Sequence, residues 1–415
     1  MKTRALAFVL VGSALAGLAA GQEAATTSPQ RPRLRDLGVA PGVVAPGPLN
    51  AITDVAGVAV GHRTVIAGDG VRTGVTAVLP HAGNLFHDKV PGAVFVANGF
   101  GKAAGFLQVA ELGTIETPIV LTNTLAVGTA VETVVAWTLA QPGNEEVRSV
   151  NALVGETNDG WLNDIRAQPV TGVHVREAIA AAAGGPVATG SVGAGTGTMA
   201  LGWKGGIGTA SRRLPAPLGG WTLGALVQSN FGGILTVDGV PVGLELGRWS
   251  YREELDSGGE AAAPAGEAPA GRSERPSGQQ AEAPLHAAPG DGSIMIVLAT
   301  DAPLSTHSLE RLAKRAVLAL GRVGSLMSNG SGDFVIAFST AQTIAHDAPD
   351  PVVLRRDLAN DALSPLFLAV VEAVEEAILD SLVTATTVTG RDGHQAEAIP
   401  LDDLRRVLRR HGRIP

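Results

Sequence analysis

The sequence predicts a layered α–β–β–α sandwich, in which two sheets pack face to face and helices cover both outer faces. Apolar, strand-like runs follow one another in the first part of the 415-residue chain, whereas strands and helices alternate in the second part. This combination fits a sandwich better than a doubly wound parallel sheet, because consecutive strands leave no helix to cross between them.

The first part supplies most of the predicted strands. Apolar alternation or continuous apolar runs predict strands within 50–62, 74–80, 93–99, 119–123, 154–161 and 221–228. Helical spacing predicts helices over 105–113, 128–139 and 173–183. Residues 190–208 are dense in glycine, which we interpret as a wall where backbones pack closely or where a substrate slides past.

The second part alternates more regularly. Strands are predicted over 293–300 and 333–339, and helices over 305–320, 364–384 and 401–410. Residues 254–291, which precede the first of these strands, are rich in Ala, Pro, Gly, Glu and Ser and contain almost no large apolar side chain. Such a segment cannot bury enough apolar surface to fold, so we expect a flexible linker or exposed loop.

Residues 1–21 resemble a secretory signal peptide. Lys2 and Arg4 precede an apolar stretch over 5–20, and small residues follow at the expected cleavage site. The stretch is short for a membrane span, so we expect an exported protein, periplasmic or secreted, without stable membrane insertion once the signal is removed. An uncleaved anchor is the alternative.

Composition excludes several classes of function. The chain has no cysteine, which rules out disulfides, thiolate metal sites and cysteine catalysis. An exported protein without disulfides must rely on its core and on oligomerisation. The formal net charge of −8, without a basic stripe, argues against nucleic-acid partners.

The Gly292–Ser293 bond joins the predicted linker to a buried strand. If this bond were cut, Ser293 would become a new N-terminus that carries a hydroxyl and a free amine on one residue. N-terminal nucleophile hydrolases use that combination of nucleophile and base. The alternative is that Ser293 simply begins a strand.

Other candidate residues lie at the ends of predicted strands. Asn230 could donate a hydrogen bond to an oxyanion, or could merely satisfy the backbone of its turn. Ser331 and Asp333 flank Gly332, so a carboxylate there could hold an ammonium or a hydroxyl. The glycines of 193–197 lack the spacing of a nucleotide-binding loop, and the histidines form no metal motif, so we expect neither a cofactor nor a metal.

These motifs together resemble the autoproteolytic serine aminopeptidases, the family of L-aminopeptidase/D-Ala-esterase/amidase and β-peptidyl aminopeptidases. In the first part the matching stretches are Arg33-Leu34-Arg35-Asp36-Leu37-Gly38, Asn50-Ala51-Ile52-Thr53-Asp54-Val55, Ile115-Glu116-Thr117-Pro118-Ile119, Leu121-Thr122-Asn123-Thr124-Leu125, Gly155-Glu156-Thr157-Asn158-Asp159-Gly160, Gly193-Ala194-Gly195-Thr196-Gly197, Lys204-Gly205-Gly206-Ile207-Gly208-Thr209-Ala210-Ser211-Arg212 and Val227-Gln228-Ser229-Asn230-Phe231-Gly232. In the second part they are Asp291-Gly292-Ser293, Asn329-Gly330-Ser331-Gly332-Asp333 and Thr389-Gly390-Arg391-Asp392-Gly393. The likeness runs in order from about residue 33 to residue 401.

The resemblance implies that the precursor cleaves itself between Gly292 and Ser293. The products would be a large fragment, 22–292, and a small fragment, 293–415, which together form one catalytic domain. Ser293 would be the nucleophile, and its own α-amine, with an ordinary pKa of about 7.7–8.0, would be the base. Asn230 would serve the oxyanion, while Ser331 and Asp333 would orient the amine and hydroxyl of Ser293.

The resemblance also implies a substrate site around Glu156, the acid that would hold the substrate's amino group. The structural alternative for Glu156 is an ion pair with a nearby arginine such as Arg166. Asn158 and Trp161 are further substrate-binding candidates, although some family members carry at position 158 a tyrosine that supports the oxyanion, which this chain lacks. The implied fold is a four-layer αββα sandwich that resembles N-terminal nucleophile hydrolases but has different strand connectivity.

The predicted function is therefore that of an exported, self-processing serine aminopeptidase that removes N-terminal residues from small peptides, amides or esters. The resemblance implies a homo-oligomer, a tetramer of cleaved heterodimers. Two alternatives are an uncleaved exported binding protein of the same fold and an acyltransferase of the ornithine acetyltransferase kind. Ser293 disfavours the latter, because those enzymes usually use threonine.

Overall fold

The computed structural model describes residues 31–256 and 292–415. The predicted signal peptide, 1–21, lies outside the described residues, as do residues 257–291 of the predicted linker. A short helix runs as far as Asp256, so the prediction that the linker begins at residue 254 is wrong by three residues. None of the described helices is long and apolar enough to cross a membrane.

Strands and helices are labelled in chain order. The strands are β1 (Ala59–Ala67), β2 (Val71–Leu79), β3 (Asp88–Gly99), β4 (Thr114–Ile115), β5 (Ile119–Asn123), β6 (Leu153–Thr157), β7 (Met199–Ala200), β8 (Trp203–Lys204), β9 (Gly206–Arg213), β10 (Thr222–Asn230), β11 (Gly292–Thr300), β12 (Ser331–Ser339), β13 (Ile344–Ala345), β14 (Val388–Thr389) and β15 (Gln395–Ala396). The helices are α1 (Phe106–Leu112), α2 (Val127–Leu139), α3 (Gly172–Ala180), α4 (Val242–Glu245), α5 (Arg252–Asp256), α6 (Thr306–Val323), α7 (Ser364–Val383) and α8 (Leu401–Arg410).

Two mixed sheets form the centre of the fold. The first has the strand order β1–β2–β5–β6, with β5 and β6 parallel and the other pairs antiparallel. The second has the order β13–β3–β12–β11–β10–β9, with β11 and β12 parallel and the other pairs antiparallel. Strands from both sides of residues 257–291 therefore share the second sheet, and β11 lies between β10 and β12.

Helices cover the outer face of each sheet. Helices α2 and α3 pack on the first sheet, and α6 and α7 pack on the second. The core between the sheets is built from side chains such as Leu121 and Leu153 on one side and Met295 and Ile336 on the other, all buried. The predicted four-layer αββα sandwich is confirmed.

The glycine-rich region before β10 contains β9, a strand that the sequence analysis did not predict. A Cβ on Gly208 would clash with the backbone of Ala377 in α7, and one on Gly206 would clash with the backbone of Gly190. The backbones therefore pack closely, as the glycine content predicted. Strand β9 has few of the large apolar side chains that mark a buried strand, and the fully buried Arg212 resembles a surface residue in the sequence.

The strand predicted within 50–62 occupies only the end of that segment. Ile52–Asp54 form a 3-10 turn, and β1 begins only at Ala59. The carboxylate of Asp54 accepts hydrogen bonds from the N–H of Leu49 at 2.9 Å and from the Ser211 hydroxyl at 2.6 Å. Side-chain hydrogen bonds of this kind compete with a strand ladder and favour a turn.

One face of α7 carries buried carboxylates that pair with arginines, and we call this set the arginine–carboxylate network. Arg35 contacts Glu376 through two bonds of 2.7 Å, and Arg212 lies 2.8 Å from Glu376. The network consists of Arg33, Arg35, Arg212, Glu372, Glu376 and Asp380. It joins the N-terminal residues and β9 to the helix that covers the second sheet.

Candidate active site

Ser293 is the second residue of β11 and has a neighbour on each side. It pairs with Asn230 of β10 and with Gly332 of β12. Its Oγ donates to the carbonyl oxygen of Gly292 at 2.5 Å and accepts from the N–H of Gly332 at 3.3 Å. The hydroxyl therefore lies against the peptide bond that the resemblance marks for cleavage.

Strand alternation decides which face the Ser293 side chain occupies. Met295, two residues along, belongs to the core between the sheets, so Ser293 faces the first sheet. A Cβ on Gly155 would clash with the Met295 side chain, which shows how closely β6 approaches β11 here. Glu156, the next residue of β6, is thereby brought to the end of the sandwich that contains Ser293.

The Asn230 carboxamide is oriented by two backbone groups. Its Oδ1 accepts from the N–H of Met199 at 2.9 Å, and its Nδ2 donates to the carbonyl of Asn158 at 3.0 Å. An amide nitrogen carries two hydrogens, and Asn158 is the one acceptor that Nδ2 reaches among the described residues. Asn230 thus satisfies backbone groups that are distant in sequence rather than those of its own turn, and it retains a second N–H beside Ser293.

Ser331 and Asp333 form a pair. The Ser331 hydroxyl donates to Asp333 Oδ1 at 2.7 Å, and Asp333 Oδ2 is buried without a hydrogen-bond partner among the described residues. Burial raises the pKa of Asp333 to about 6, although the bond from Ser331 opposes this shift. In the described structure the hydroxyl of Ser293 is linked to this strand through the N–H of Gly332.

Asn98 is a residue of the site that sequence reasoning missed. It is the penultimate residue of β3 and pairs with Asp333, and its Nδ2 donates to the carbonyls of Ser328 at 2.9 Å and Ser331 at 2.5 Å. It therefore holds the turn that leads into β12. A polar residue before Gly99 at a strand end is the only local signal, and it does not reveal the distant partner.

Glu156 is buried, with 2% of its surface exposed. Its Oε1 accepts from the N–H of Lys102 at 2.9 Å, and its Oε2 accepts from the Thr124 hydroxyl. No ion pair between Glu156 and Arg166 occurs among the described residues, so that alternative is wrong. The carboxylate is held by neutral donors.

Asn158 and Trp161 lie in the turn after β6. The Asn158 side chain is exposed and accepts from the N–H of Gly160 at 2.9 Å, so this residue reaches Asn230 through its carbonyl rather than its carboxamide. The Trp161 indole stacks on the imidazole of His394, with ring centroids 3.7 Å apart and planes at 6°. No group of His, Asp and Glu side chains that could hold a metal occurs in the described parts of the chain.

Known proteins share this sequence and fold. Peptidase family S58 matches residues 50–396. The chain is 40% identical to β-peptidyl aminopeptidase BapA of Sphingosinicella microcystinivorans, over 98% of this chain and 97% of that protein. The structure of a Burkholderia sp. β-aminopeptidase matches with a TM-score of 0.78 and 40% identity, over 92% of this chain and 99% of that one.

The L-aminopeptidase D-Ala-esterase/amidase of Ochrobactrum anthropi matches with a TM-score of 0.79 and 36% identity, over 93% of this chain and 100% of that one. Its structure is described as a prototype for the serine aminopeptidases and as a new variant of the N-terminal nucleophile hydrolase fold. The fold and the sequence matches thus define a serine aminopeptidase, a hydrolase that acts on peptide bonds. The chain belongs to peptidase family S58.

Proposed function

We propose that this protein is an exported serine aminopeptidase that cleaves its own Gly292–Ser293 bond and then removes N-terminal residues from small peptides, amides or esters. The observation that carries the proposal is the contact of Ser293 Oγ with the Gly292 carbonyl, at a residue that pairs directly with Asn230. The similar proteins are named β-peptidyl aminopeptidases and an L-aminopeptidase, so β- and L-residues are the first substrates to test.

Self-cleavage would begin with attack of Ser293 Oγ on the Gly292 carbonyl carbon. The hydroxyl proton leaves Oγ, the C–N bond breaks, and the Ser293 nitrogen gains a proton, which leaves an ester between the two residues. Water then hydrolyses the ester to a Gly292 carboxylate and a free Ser293 hydroxyl and amine. The second N–H of Asn230 would stabilise the oxyanion that forms during the attack.

Turnover of a substrate would reuse the same groups. The free amine of Ser293 takes the proton from its own hydroxyl, whose oxygen attacks the substrate carbonyl carbon. The C–N or C–O bond of the substrate then breaks, the departing group takes the proton from the Ser293 ammonium, and water hydrolyses the acyl-enzyme to release the acid. Asp333 Oδ2, which has no partner among the described residues, is suited to accept a hydrogen bond from the ammonium that results. Its negative charge would favour the protonated amine through Coulomb attraction.

Glu156 would distinguish a free N-terminus from an acylated one. The contacts of its carboxylate are neutral, so a substrate ammonium would be its first cation. An N-acetylated substrate would leave that buried charge without a counter-ion, which disfavours binding. We propose that Asn158 and Trp161 line the same substrate site, with the stack on His394 holding the indole as a rigid wall.

Export through residues 1–21 and assembly into a tetramer of cleaved heterodimers are further parts of the proposal. They rest on the signal-like sequence and on the family resemblance. Fractionation of the producing cell tests the first, and light scattering of the processed protein tests the second.

The decisive experiment is purification of the wild type and of Ser293→Ala, followed by gel analysis and N-terminal sequencing. The wild type should yield two fragments without added protease, and the smaller should begin at Ser293. Ser293→Ala should stay full length and inactive on aminoacyl p-nitroanilides. A wild-type chain that stays whole and inactive would favour the binding protein, and a different new N-terminus would overturn the assignment of the nucleophile.

A further inference from the structure

Lys204 is a buried lysine that the proposed mechanism does not use. None of its surface is exposed, and its Nζ donates to the carbonyl oxygens of Gly195 and Gly205, each at 2.8 Å. Burial lowers the pKa of Lys204 to about 7. An ammonium kept in the interior against this cost needs a structural reason, because an apolar residue would fill the same space more cheaply.

The backbone of Lys204 is tied to a group that orients Asn230. Lys204 pairs with Met199 in the β7–β8 hairpin, and the N–H of Gly205 donates to the carbonyl of Thr198 at 3.1 Å. Met199 supplies the N–H that binds Asn230 Oδ1. The side chain of Lys204 meanwhile reaches back to Gly195, so one residue fixes both ends of segment 195–199.

Asp159 lies against the same segment. A Cβ on Gly197 would lie 2.9 Å from the Cβ of Asp159, so the backbone there packs directly on this residue. Asp159 is buried, and its Oδ1 accepts from Asn163 Nδ2 at 2.9 Å. Burial raises the pKa of Asp159 to about 7, and its negative charge favours the protonated form of Lys204.

Asp159 is also the neighbour of the second group that orients Asn230. The carbonyl of Asn158, one residue earlier, accepts the bond from Asn230 Nδ2. Each of the two backbone groups that fix the carboxamide therefore belongs to a residue that pairs with Lys204 or is adjacent to Asp159.

We propose that Lys204 and Asp159 are positioning residues for Asn230. Together they hold segment 195–199 and residue 158 in place. The second N–H of the Asn230 carboxamide then points at the oxyanion that forms when Ser293 attacks a carbonyl carbon. This inference rests on the proposed function, in which Asn230 is an oxyanion donor. Neither residue would touch the substrate.

Loss of the Lys204 ammonium would leave the Gly195 and Gly205 carbonyls without this donor. The segment would then relax toward other partners, and Met199 would move with it. A misplacement of about 1 Å at a reacting centre costs about 10²-fold in rate. The loss should be no larger than that from removing the Asn230 carboxamide itself, on the order of 10²–10³-fold.

The test is a double-mutant cycle that combines Lys204→Met with Asn230→Ala, read both on the rate of self-cleavage and on kcat of processed enzyme. Lys204→Met should lower each rate roughly 10- to 100-fold in the wild-type background, with KM little changed. In the Asn230→Ala background the same substitution should have little further effect on rate, while any loss of thermal stability remains.

Lys89→Met is the matched control, because Lys89 is also a buried lysine, and it forms an ion pair with Glu116. It should lower the melting temperature without changing kcat. If Lys204→Met does not yield folded protein, Asp159→Asn takes its place in the cycle, since it keeps the side-chain volume and the contact with Asn163.

The outcomes distinguish the positioning role of Lys204 from the oxyanion role of Asn230. If Lys204→Met lowers kcat equally with and without the Asn230 carboxamide, or leaves kcat unchanged, the positioning role is overturned and the oxyanion role of Asn230 survives. If Asn230→Ala alone leaves both rates unchanged, the oxyanion role in the proposed function fails first.

Discussion

The arginine–carboxylate network and the surroundings of Ser293 both bury charged side chains, but they satisfy them differently. In the network, Glu372, Glu376 and Asp380 each have an arginine within 3.2 Å. Near Ser293, Asp333 Oδ2 has no hydrogen-bond partner in the described structure, and Glu156 is held by neutral donors.

The way in which buried charges are paired therefore distinguishes the structural network from the site better than burial does. An unsatisfied buried polar group costs about 1–3 kcal/mol, so folded proteins normally pair such groups. The network follows that rule and holds the N-terminal residues to α7. Near Ser293, Asp333 departs from the rule, and Glu156 satisfies it with neutral donors alone. This is the arrangement expected where a cation arrives only with the substrate or with the new N-terminus.

The largest expected effect breaks the network. Arg212→Met removes the cation shared by Glu372 and Glu376. Glu376 keeps Arg35, but Glu372 is left buried without a cation, which should lower the free energy of unfolding by about 3–5 kcal/mol. Denaturant titration measures this loss, and kcat of the folded, processed protein should stay unchanged.

The control is Arg63→Met, because Arg63 forms an exposed pair with Glu177 and should contribute less than about 1 kcal/mol. Equal losses of unfolding free energy in the two variants would show that the network stabilises the fold no more than an exposed ion pair does.

The next effect concerns the spare N–H of Asn230. Asn230→Ala should lower kcat by about 10²–10³-fold because an oxyanion donor is lost, while circular dichroism shows an intact fold. Asn144→Ala is a suitable control, since Asn144 is also buried. At 2.6 Å it donates to the carbonyl of Thr138, which is not a residue of the candidate site. A kcat equal to that of the control would restrict Asn230 to holding its backbone partners.

A smaller effect should appear in the pH dependence of self-cleavage. Burial raises the pKa of Asp333 to about 6, so the carboxylate is neutral below that pH and charged above it. If the charged form assists removal of the proton from Ser293, the rate should rise through pH 6 and then level off. Asp333→Asn should abolish this limb of the profile.

The sign of the stability effect is opposite. Because the folded pKa of Asp333 lies above its ordinary value of 3.8, ionisation should cost stability as the pH rises between these values. Asp333→Asn should remove that decline. If Asp333→Asn keeps the pH–rate profile of the wild type, another group must cause the rise in rate, and Asp159 is the first to test.

The smallest effect concerns substrate choice. Glu156→Gln should raise KM for substrates with a free amine by about tenfold, because a charge-assisted hydrogen bond becomes neutral. It should also narrow the preference over N-acetylated substrates, while processing at Ser293 continues. If the ratio of kcat/KM between free and acetylated substrates does not change, the amine anchor must be sought at Asp333 or Asp159.

Periodic elements were predictable from the sequence. The predicted strand 293–300 and helix 305–320 correspond to β11 and α6 within three residues at each end, because a core strand and an amphipathic helix carry strong local patterns. Strand β9 was not predictable, since its glycines and the buried Arg212 make sense only beside α7.

The site was predictable as residue types but not as a set of contacts. Short polar turns at the ends of apolar strands drew attention to Asn230, Ser331 and Asp333. The donors that hold them are distant in sequence, as with Asn98, which lies more than 200 residues before Ser331 and reaches its carbonyl. The role of Asn158 through its carbonyl leaves no trace in side-chain identity, because any residue supplies that group.

The position of β11 has a consequence for the life history of the molecule. Cleavage before Ser293 would leave two chains whose strands interleave, with β11 and β12 inserted between β3 and β10. Neither chain would then possess the complete second sheet, so the pair could separate only by unfolding. Irreversible thermal inactivation of the processed protein should therefore be governed by the rate of unfolding rather than by the unfolding equilibrium. The uncut precursor chain would thus be needed to assemble the second sheet, but the bond before Ser293 would not be needed once the sheet has formed.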